Sequence, residues 1–261
     1  ESLRGADCTG AGVLKEKNQR LGDTLNARTF AMAEKAGLPL MTICSTCQGV
    51  MAQANERLCN DEEYRNSINE DLKEEGLAYQ GTIEPKHLLW IIVEDLGIEV
   101  LESKLVKQLN WLKLAPFYGC YIVRPAKALG LKDNPGRDQA LEKVIEVVGG
   151  EVVDFPGKTL CCGFPILTIN PENSVNMVAN HTIDAKERGA DAMVTPCPLC
   201  HLNLDGYQPN AASSRKREIN LPIIHLPQLV GLALGIDPKE MRLNKHIVST
   251  KKLLSEIAVS P

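Results

Sequence analysis

The chain has 261 residues, with 29 Lys and Arg interspersed among 33 Asp and Glu for a formal net charge of −4, a balance that excludes the basic face a nucleic-acid or membrane-surface partner requires. Nine cysteines, an odd number, several in adjacent or Cys-x-x-Cys pairs, suit metal-bound thiolates in a reducing cytosol better than a secreted disulfide framework. No signal peptide or membrane span is visible, since Leu88 to Val93 and Leu229 to Ile236 are too short and read as buried helix faces, so a cytoplasmic protein is expected.

In chain order, Cys8-Thr9-Gly10 and Cys44-Ser45-Thr46-Cys47 come first, then a lone Cys59 and a helix starting near His87. The apolar run Leu114 to Tyr118 predicts a strand ending at Gly119 and Cys120. Leu141, Val144, Ile145 and Val148 recur at helical spacing, and Gly149 and Gly150 stop that helix before a second strand at Glu151 to Phe155. Cys161-Cys162-Gly163 follows. Asn170 then caps a helix with Pro171 in its first turn and a buried stripe of Val175, Val178, Ala179, Thr182 and Ile183. Ala192 to Thr195 is a third strand, and it delivers Cys197-Pro198-Leu199-Cys200 to the start of another helix. Ile223 to His225 is a fourth, with a helix from Pro227. The tail from Lys245 to Pro261 has Ile247, Val248, Leu253, Leu254 and Ile257 in an amphipathic pattern, which either docks a partner or packs on its own lobe. Strands alternating with helices imply α/β architecture with parallel sheet, where ligands collect beyond the carboxyl ends of the strands. Every cysteine group after residue 110 falls at such an end.

An internal repeat organises the whole. A shift of 153 positions superposes Cys8, Gly10, Cys44 and Cys47 on Cys161, Gly163, Cys197 and Cys200, and Thr29, Glu34 and Thr42 on Thr182, Glu187 and Thr195. A second offset, of 138, aligns His87, Gly97 and Ile98 with His225, Gly235 and Ile236. Two related lobes follow, residues 1–110 and 111–261, each a small parallel sheet flanked by helices. The counterpart of Cys120 falls ahead of Glu1, so the first lobe is expected to be incomplete at its opening strand and helix.

Five cysteines in the second lobe, Cys120, Cys161, Cys162, Cys197 and Cys200, are one more than tetrahedral zinc or a cubane 4Fe-4S cluster takes. Zinc remains the plainer alternative, although the two Cys-x-x-Cys pairs lie a whole repeat apart. A thioredoxin-like pair would leave three cysteines unexplained.

The pattern Cys-x(40)-Cys-Cys-Gly-x(33)-Cys-x-x-Cys, with its settings Ala115 to Pro125 and Pro156 to Gly163, resembles the cysteine-rich CCG domain in the B subunit of heterodisulfide reductases over nearly the entire chain. The resemblance implies that Cys120, Cys161, Cys162, Cys197 and Cys200 bind a noncubane 4Fe-4S cluster that performs thiol/disulfide redox chemistry. It also implies partners in the same complex, one a flavin-containing subunit and the other a ferredoxin-like subunit. No Gly-x-Gly-x-x-Gly or P-loop is present to hold a flavin or nucleotide on this chain.

The first lobe departs from the pattern at Thr9, whose hydroxyl is too weakly acidic to replace a bridging thiolate. Cys8, Cys44 and Cys47 with an upstream cysteine then suit a cubane 4Fe-4S cluster, serving as a relay. The form Cys8-Thr9-Gly10-Ala11-Gly12-Val13 is similar to the heterodisulfide-reductase-like proteins of sulfur-oxidising prokaryotes, which implies a disulfide or lipoate-bound sulfur substrate. The alternative is an electron-transfer component of a quinone- or flavin-linked dehydrogenase, of the succinate dehydrogenase or glycolate oxidase type; a non-catalytic assembly role is a further one. His201, Arg124 and Lys158 are candidates for contacts to cluster or substrate, set against a solvated helix position and surface ion pairs. Cys59 reads as a structural thiol, and His87 and His225 as capping or packing residues.

Overall fold

The computed structural model describes residues 2–259, without the side chains of Ala258 and Val259; Glu1 and the end of the expected tail, Ser260 and Pro261, lie outside the described residues. The chain forms two compact units, Glu1–Leu88 with Tyr121–Asn134, and Leu89–Cys120 with Pro135–Pro261. The expected division at residue 110 therefore differs from the observed grouping, and packing explains why. Tyr121 lies over Gly12 and Gly49 so closely that neither glycine has room for a methyl group, which ties the 121–134 segment to the first unit. Arg137 stacks on Trp90, 4.2 Å to the ring centroid, and pairs with Glu94 at 2.7 Å, which ties the segment after Leu88 to the second.

The first unit contains α1 (Val13–Lys17), α2 (Gln19–Ala36), β1 (Met41–Thr42), α3 (Ser45–Asn60), α4 (Glu62–Leu72) and β2 (Lys86–His87). Asn18 accepts the Leu21 N–H at 3.0 Å to start α2, and Gly37, left-handed at φ 65°, ends it. Phe30, Leu58, Ile68, Leu72 and Tyr79 fill the core between helices, with the Phe30 and Tyr79 rings 5.1 Å apart. The sheet here is the parallel pair β1–β2.

In the second unit, α5 (Leu88–Trp90), a π-helical stretch at Ile91–Gly97 and α6 (Ile98–Lys104) precede a four-stranded parallel sheet. Its strands are β3 (Lys113–Pro116), β4 (Glu151–Val152), β5 (Ala192–Thr195) and β6 (Ile223–His225), in spatial order β4-β3-β5-β6. Between them run α7 (Ala140–Val147), α8 (Pro171–Glu187), α9 (Pro198–Gly206) and α10 (Gln208–Arg215), and α11 (Leu226–Ala233) and α12 (Lys251–Val259) follow. Leu114, Ala115, Met193, Val194, Ile223 and Ile224 are all buried, as a sheet covered on both faces demands. The order reverses at β3, which has the next strand in sequence on one side and a later one on the other. That makes the ends of β3 and β5 a topological switch point.

Both opening strands stop short of the apolar runs that predict them. Beyond Phe117, whose N–H still donates to the Val194 carbonyl at 2.7 Å, the backbone leaves the ladder, and the N–H groups of Tyr118 and Gly119 converge on the Lys158 carbonyl at 2.8 and 3.2 Å. In the tail, Val248, Leu253 and Ile257 are buried and Ile247 is exposed, so most of the apolar pattern packs on its own lobe.

Candidate metal centre

Five sulfurs meet at the carboxyl edge of the second unit's sheet. Cys120 follows β3, Cys161 and Cys162 follow β4, and Cys197 and Cys200 follow β5. Cys197 is the extended N-cap residue of α9, at φ −123° and ψ 117°, and Cys200 lies in the first turn, so the helix amino terminus favours negative charge on both. The thiols form a hydrogen-bonded series in the order Cys120, Cys161, Cys162, Cys200, Cys197. Cys162, Cys197 and Cys200 are buried, whereas Cys120 and Cys161 are half-buried. Solvent therefore reaches the series from the Cys120 and Cys161 end.

These contacts set the charge. Hydrogen bonds from Cys120 and then Cys162, with the Gly163 N–H at 3.4 Å, hold the Cys161 thiol far below its ordinary range. The bond to Cys161 pushes Cys162 up, and contacts with Cys162 and Cys197 push the fully buried Cys200 up. Cys161 is thus held down while Cys162 and Cys200 are pushed up, as the crowding of negative charge without a cationic group between the sulfurs demands. The donor set is soft sulfur only, and its number exceeds a tetrahedral site, so the residues fit an iron-sulfur assembly and not a hard cation.

The supporting residues are mostly invisible to motif reasoning. His181, on the buried stripe of α8, bonds the Cys161 carbonyl through Nε2 at 2.9 Å and packs against Phe117, with ring centroids 5.1 Å apart. Burial holds its pKa down, so the neutral imidazole donates to that carbonyl. Asn203 donates to the Cys162 carbonyl at 2.8 Å and is itself buried. Tyr118 donates from its hydroxyl to Glu142 and accepts the Leu141 N–H at 2.8 Å. An Asn three positions after the last cysteine, and a His on an otherwise apolar helix face, were the available signals.

Gly119 adopts φ 71°, and a methyl group there would lie 2.9 Å from Cys200 Sγ. Gly119→Ala is therefore expected to displace the Cys120 loop or Cys200, lowering iron retention on anaerobic gel filtration by about tenfold or more, the scale on which supporting residues act.

In the first unit Cys8 is exposed, Cys47 half-buried and Cys44 buried as the extended N-cap residue of α3, at φ −134° and ψ 120°. The Gly10 N–H donates to Cys8 Sγ at 3.4 Å, and the Thr9 hydroxyl donates to Cys47 Sγ at 3.6 Å. Cys59 is exposed and lies apart from these, near Asn55, Tyr79 and Gly81.

The remaining candidates are placed as follows. Lys158 Nζ is held by Glu142 at 3.1 Å and Asp154 at 2.6 Å, an ion-paired arrangement, while its backbone carbonyl anchors Tyr118 and Gly119. Arg124 is exposed in the segment grouped with the first unit. His201 turns to the rings of His246, 4.6 Å away, and His225, 6.5 Å away; burial, with His246 nearby, pushes it down to about 4. His225 caps α11 in a capping box with Gln228, and His87 is buried in β2.

A two-lobed α/β chain whose cysteines gather at the switch point of a parallel sheet defines a cysteine-rich redox module. The chain belongs to the CCG family, described as "Cysteine-rich domain", which it matches over residues 1–52 and 114–205. It is 32% identical to the B subunit of the ferredoxin/F(420)H(2)-dependent CoB-CoM heterodisulfide reductase of Methanosarcina acetivorans, across 98% of this chain and 85% of that protein. It is 37% identical to the 8-methylmenaquinol:fumarate reductase membrane anchor subunit of Wolinella succinogenes, across 96% of this chain and 87% of that one. Among the described residues, no helix is long and apolar enough to cross a membrane. A hypothetical protein from Helicobacter pylori shares the fold at a TM-score of 0.71 and 19% identity, over 89% of this chain and 42% of that one. Family and cysteine set together make the chain an iron-sulfur redox protein of the oxidoreductase kind.

Proposed function

We propose that the second lobe binds a noncubane 4Fe-4S cluster through Cys120, Cys161, Cys162, Cys197 and Cys200, and that the chain performs thiol/disulfide redox chemistry there as part of a heterodisulfide-reductase-like complex. The observation that carries this reading is the continuous series of five thiols. When bound, the cluster supplies single-electron transfer to a sulfur–sulfur bond, chemistry that no side chain of this lobe supplies. The protein's part is to hold the sulfurs, through His181 and Asn203 on the carbonyls of Cys161 and Cys162, and to leave the Cys120 and Cys161 end open to a substrate. Reduction of a disulfide takes two electrons and two protons and releases two thiols; oxidation runs the reverse. The electrons pass to or from flavin-containing and ferredoxin-like partners in the complex, since this chain has no flavin or nucleotide motif.

In the first lobe, Cys8, Cys44 and Cys47 supply three thiolates to a cubane cluster. That cluster relays electrons. The Cys8-Thr9-Gly10 form favours a sulfur-oxidation role in the cytoplasm, with a lipoate-bound sulfur carrier as substrate.

A second reading, electron transfer in a quinone-linked complex, is favoured by the 37% identity to the fumarate reductase protein. The two part in one assay. With an artificial electron donor under anaerobic conditions, the chain in its complex is expected to reduce disulfides of lipoamide type to their dithiols, and Cys162→Ser to abolish that turnover. Quinol oxidation without disulfide turnover would replace the first reading by the second.

A further inference from the structure

We propose that Thr9 is a positioning residue whose hydroxyl, donated to the Cys47 sulfur, raises the reduction potential of the first-lobe cluster. The inference rests on the reading that Cys8, Cys44 and Cys47 hold such a cluster.

The repeat puts Thr9 where the second lobe has Cys162, and the two loops share their hydrogen bond and backbone geometry around that position. Gly10 N–H to Cys8 Sγ and Gly163 N–H to Cys161 Sγ are both 3.4 Å. Both glycines are left-handed, at φ 81° and 95°, and Cys44 and Cys197 cap their helices with nearly the same extended backbone. In the second lobe the side chain at this position meets the sulfur of Cys200. In the first it meets the equivalent sulfur, Cys47, with a Thr9 Oγ1 to Sγ distance of 3.6 Å.

A hydroxyl differs from a thiol in what it can do there. It stays protonated, so it leaves the ligand set and becomes a hydrogen-bond donor to a ligand. Thr9 is 4% exposed, so water does not compete for the bond and the local dielectric strengthens it. Reduction adds negative charge to the cluster and its sulfurs. A donor aimed at one sulfur stabilises the reduced form more than the oxidised form, and the potential rises. The same substitution that removes a fifth ligand therefore installs a tuning group, which separates the potentials of the two lobes.

Redox titration of the full-length, anaerobically purified protein, followed by electron paramagnetic resonance with iron and sulfide analysis, tests this. Thr9→Val keeps the shape and removes the donor; Thr9→Ala gives the same information if valine disturbs assembly, and Thr9→Ser restores a donor. The midpoint of the first-lobe signal is expected to move to more negative potential in the valine or alanine variant and to return toward the wild-type value in the serine variant. The five-cysteine signal should stay fixed in all of them. An unchanged first-lobe midpoint with iron retained overturns the role of Thr9 alone. Wild-type protein whose iron accounts for the five-cysteine site only overturns the cluster reading and the inference with it.

Discussion

Cys162→Ser is expected to eliminate the cluster signal of the second lobe and to weaken metal retention there by more than about 100-fold, the upper end of what altering a mere supporting residue does. Cys162 is the middle of the series, touching both Cys161 and Cys200, so its loss separates the β3–β4 sulfurs from the α9 sulfurs. The remaining four thiols could satisfy a cubane cluster only if they closed up around the gap. The loop itself should persist. Its geometry depends on backbone groups, Asn203 on the Cys162 carbonyl at 2.8 Å and the left-handed Gly163, and serine is close in size to cysteine. Far-UV circular dichroism unchanged from wild type, together with loss of the signal and of bound iron, is the expected pair of measurements. An undiminished signal would remove Cys162 from the ligand set and, with it, the case for a five-thiolate assembly.

The cysteines were legible because cluster chemistry fixes residue type and spacing together, and because the cysteine-bearing part of the two lobes repeats at one offset, 153 positions. The strands β5 and β6 were legible for a related reason, each being a short apolar run bounded by chain-turning residues. What escaped were residues whose roles depend on tertiary neighbours. His181 looks like part of the stripe of α8 until its ring is seen under the Cys161 carbonyl. Asn203 is any helix residue until burial forces its amide to find the Cys162 carbonyl. His201, which the sequence offers as a neighbour of Cys200, is aimed at His246, far away in the chain, because position i+1 on a helix points off the face that position i occupies. The grouping of Tyr121–Asn134 with the first unit was hidden too. It turns on the fit of one aromatic ring over Gly12 and Gly49, which no periodicity reports.

The same kind of concealment surrounds Asp23, whose replacement by alanine is expected to destabilise the first unit by about 2–3 kcal/mol. On α2 it reads as a solvated charge, yet its side chain is 1% exposed. Both carboxylate oxygens are used: Arg57 donates at 2.6 and 2.9 Å, and the Tyr64 hydroxyl at 3.0 Å, so one residue joins α2, α3 and α4. Truncation leaves Arg57 and Tyr64 without their acceptor and opens a small void. Breaking a fully buried pair costs about 3–5 kcal/mol, but the Arg57 side chain is 30% exposed and can recover part of its hydration, which places the expected loss at or just below the bottom of that range. Asp23→Asn, which keeps volume and one acceptor oxygen, should lose less. Urea unfolding monitored by circular dichroism checks both values. Since Cys44 caps α3 and Cys47 lies in its first turn, loosening its tie to α2 should also release iron from the first lobe before the second. A loss below about 0.5 kcal/mol for the alanine variant, the size of an ordinary surface substitution, would mean that apolar packing around Phe30 and Leu58 holds these helices without the ion pair.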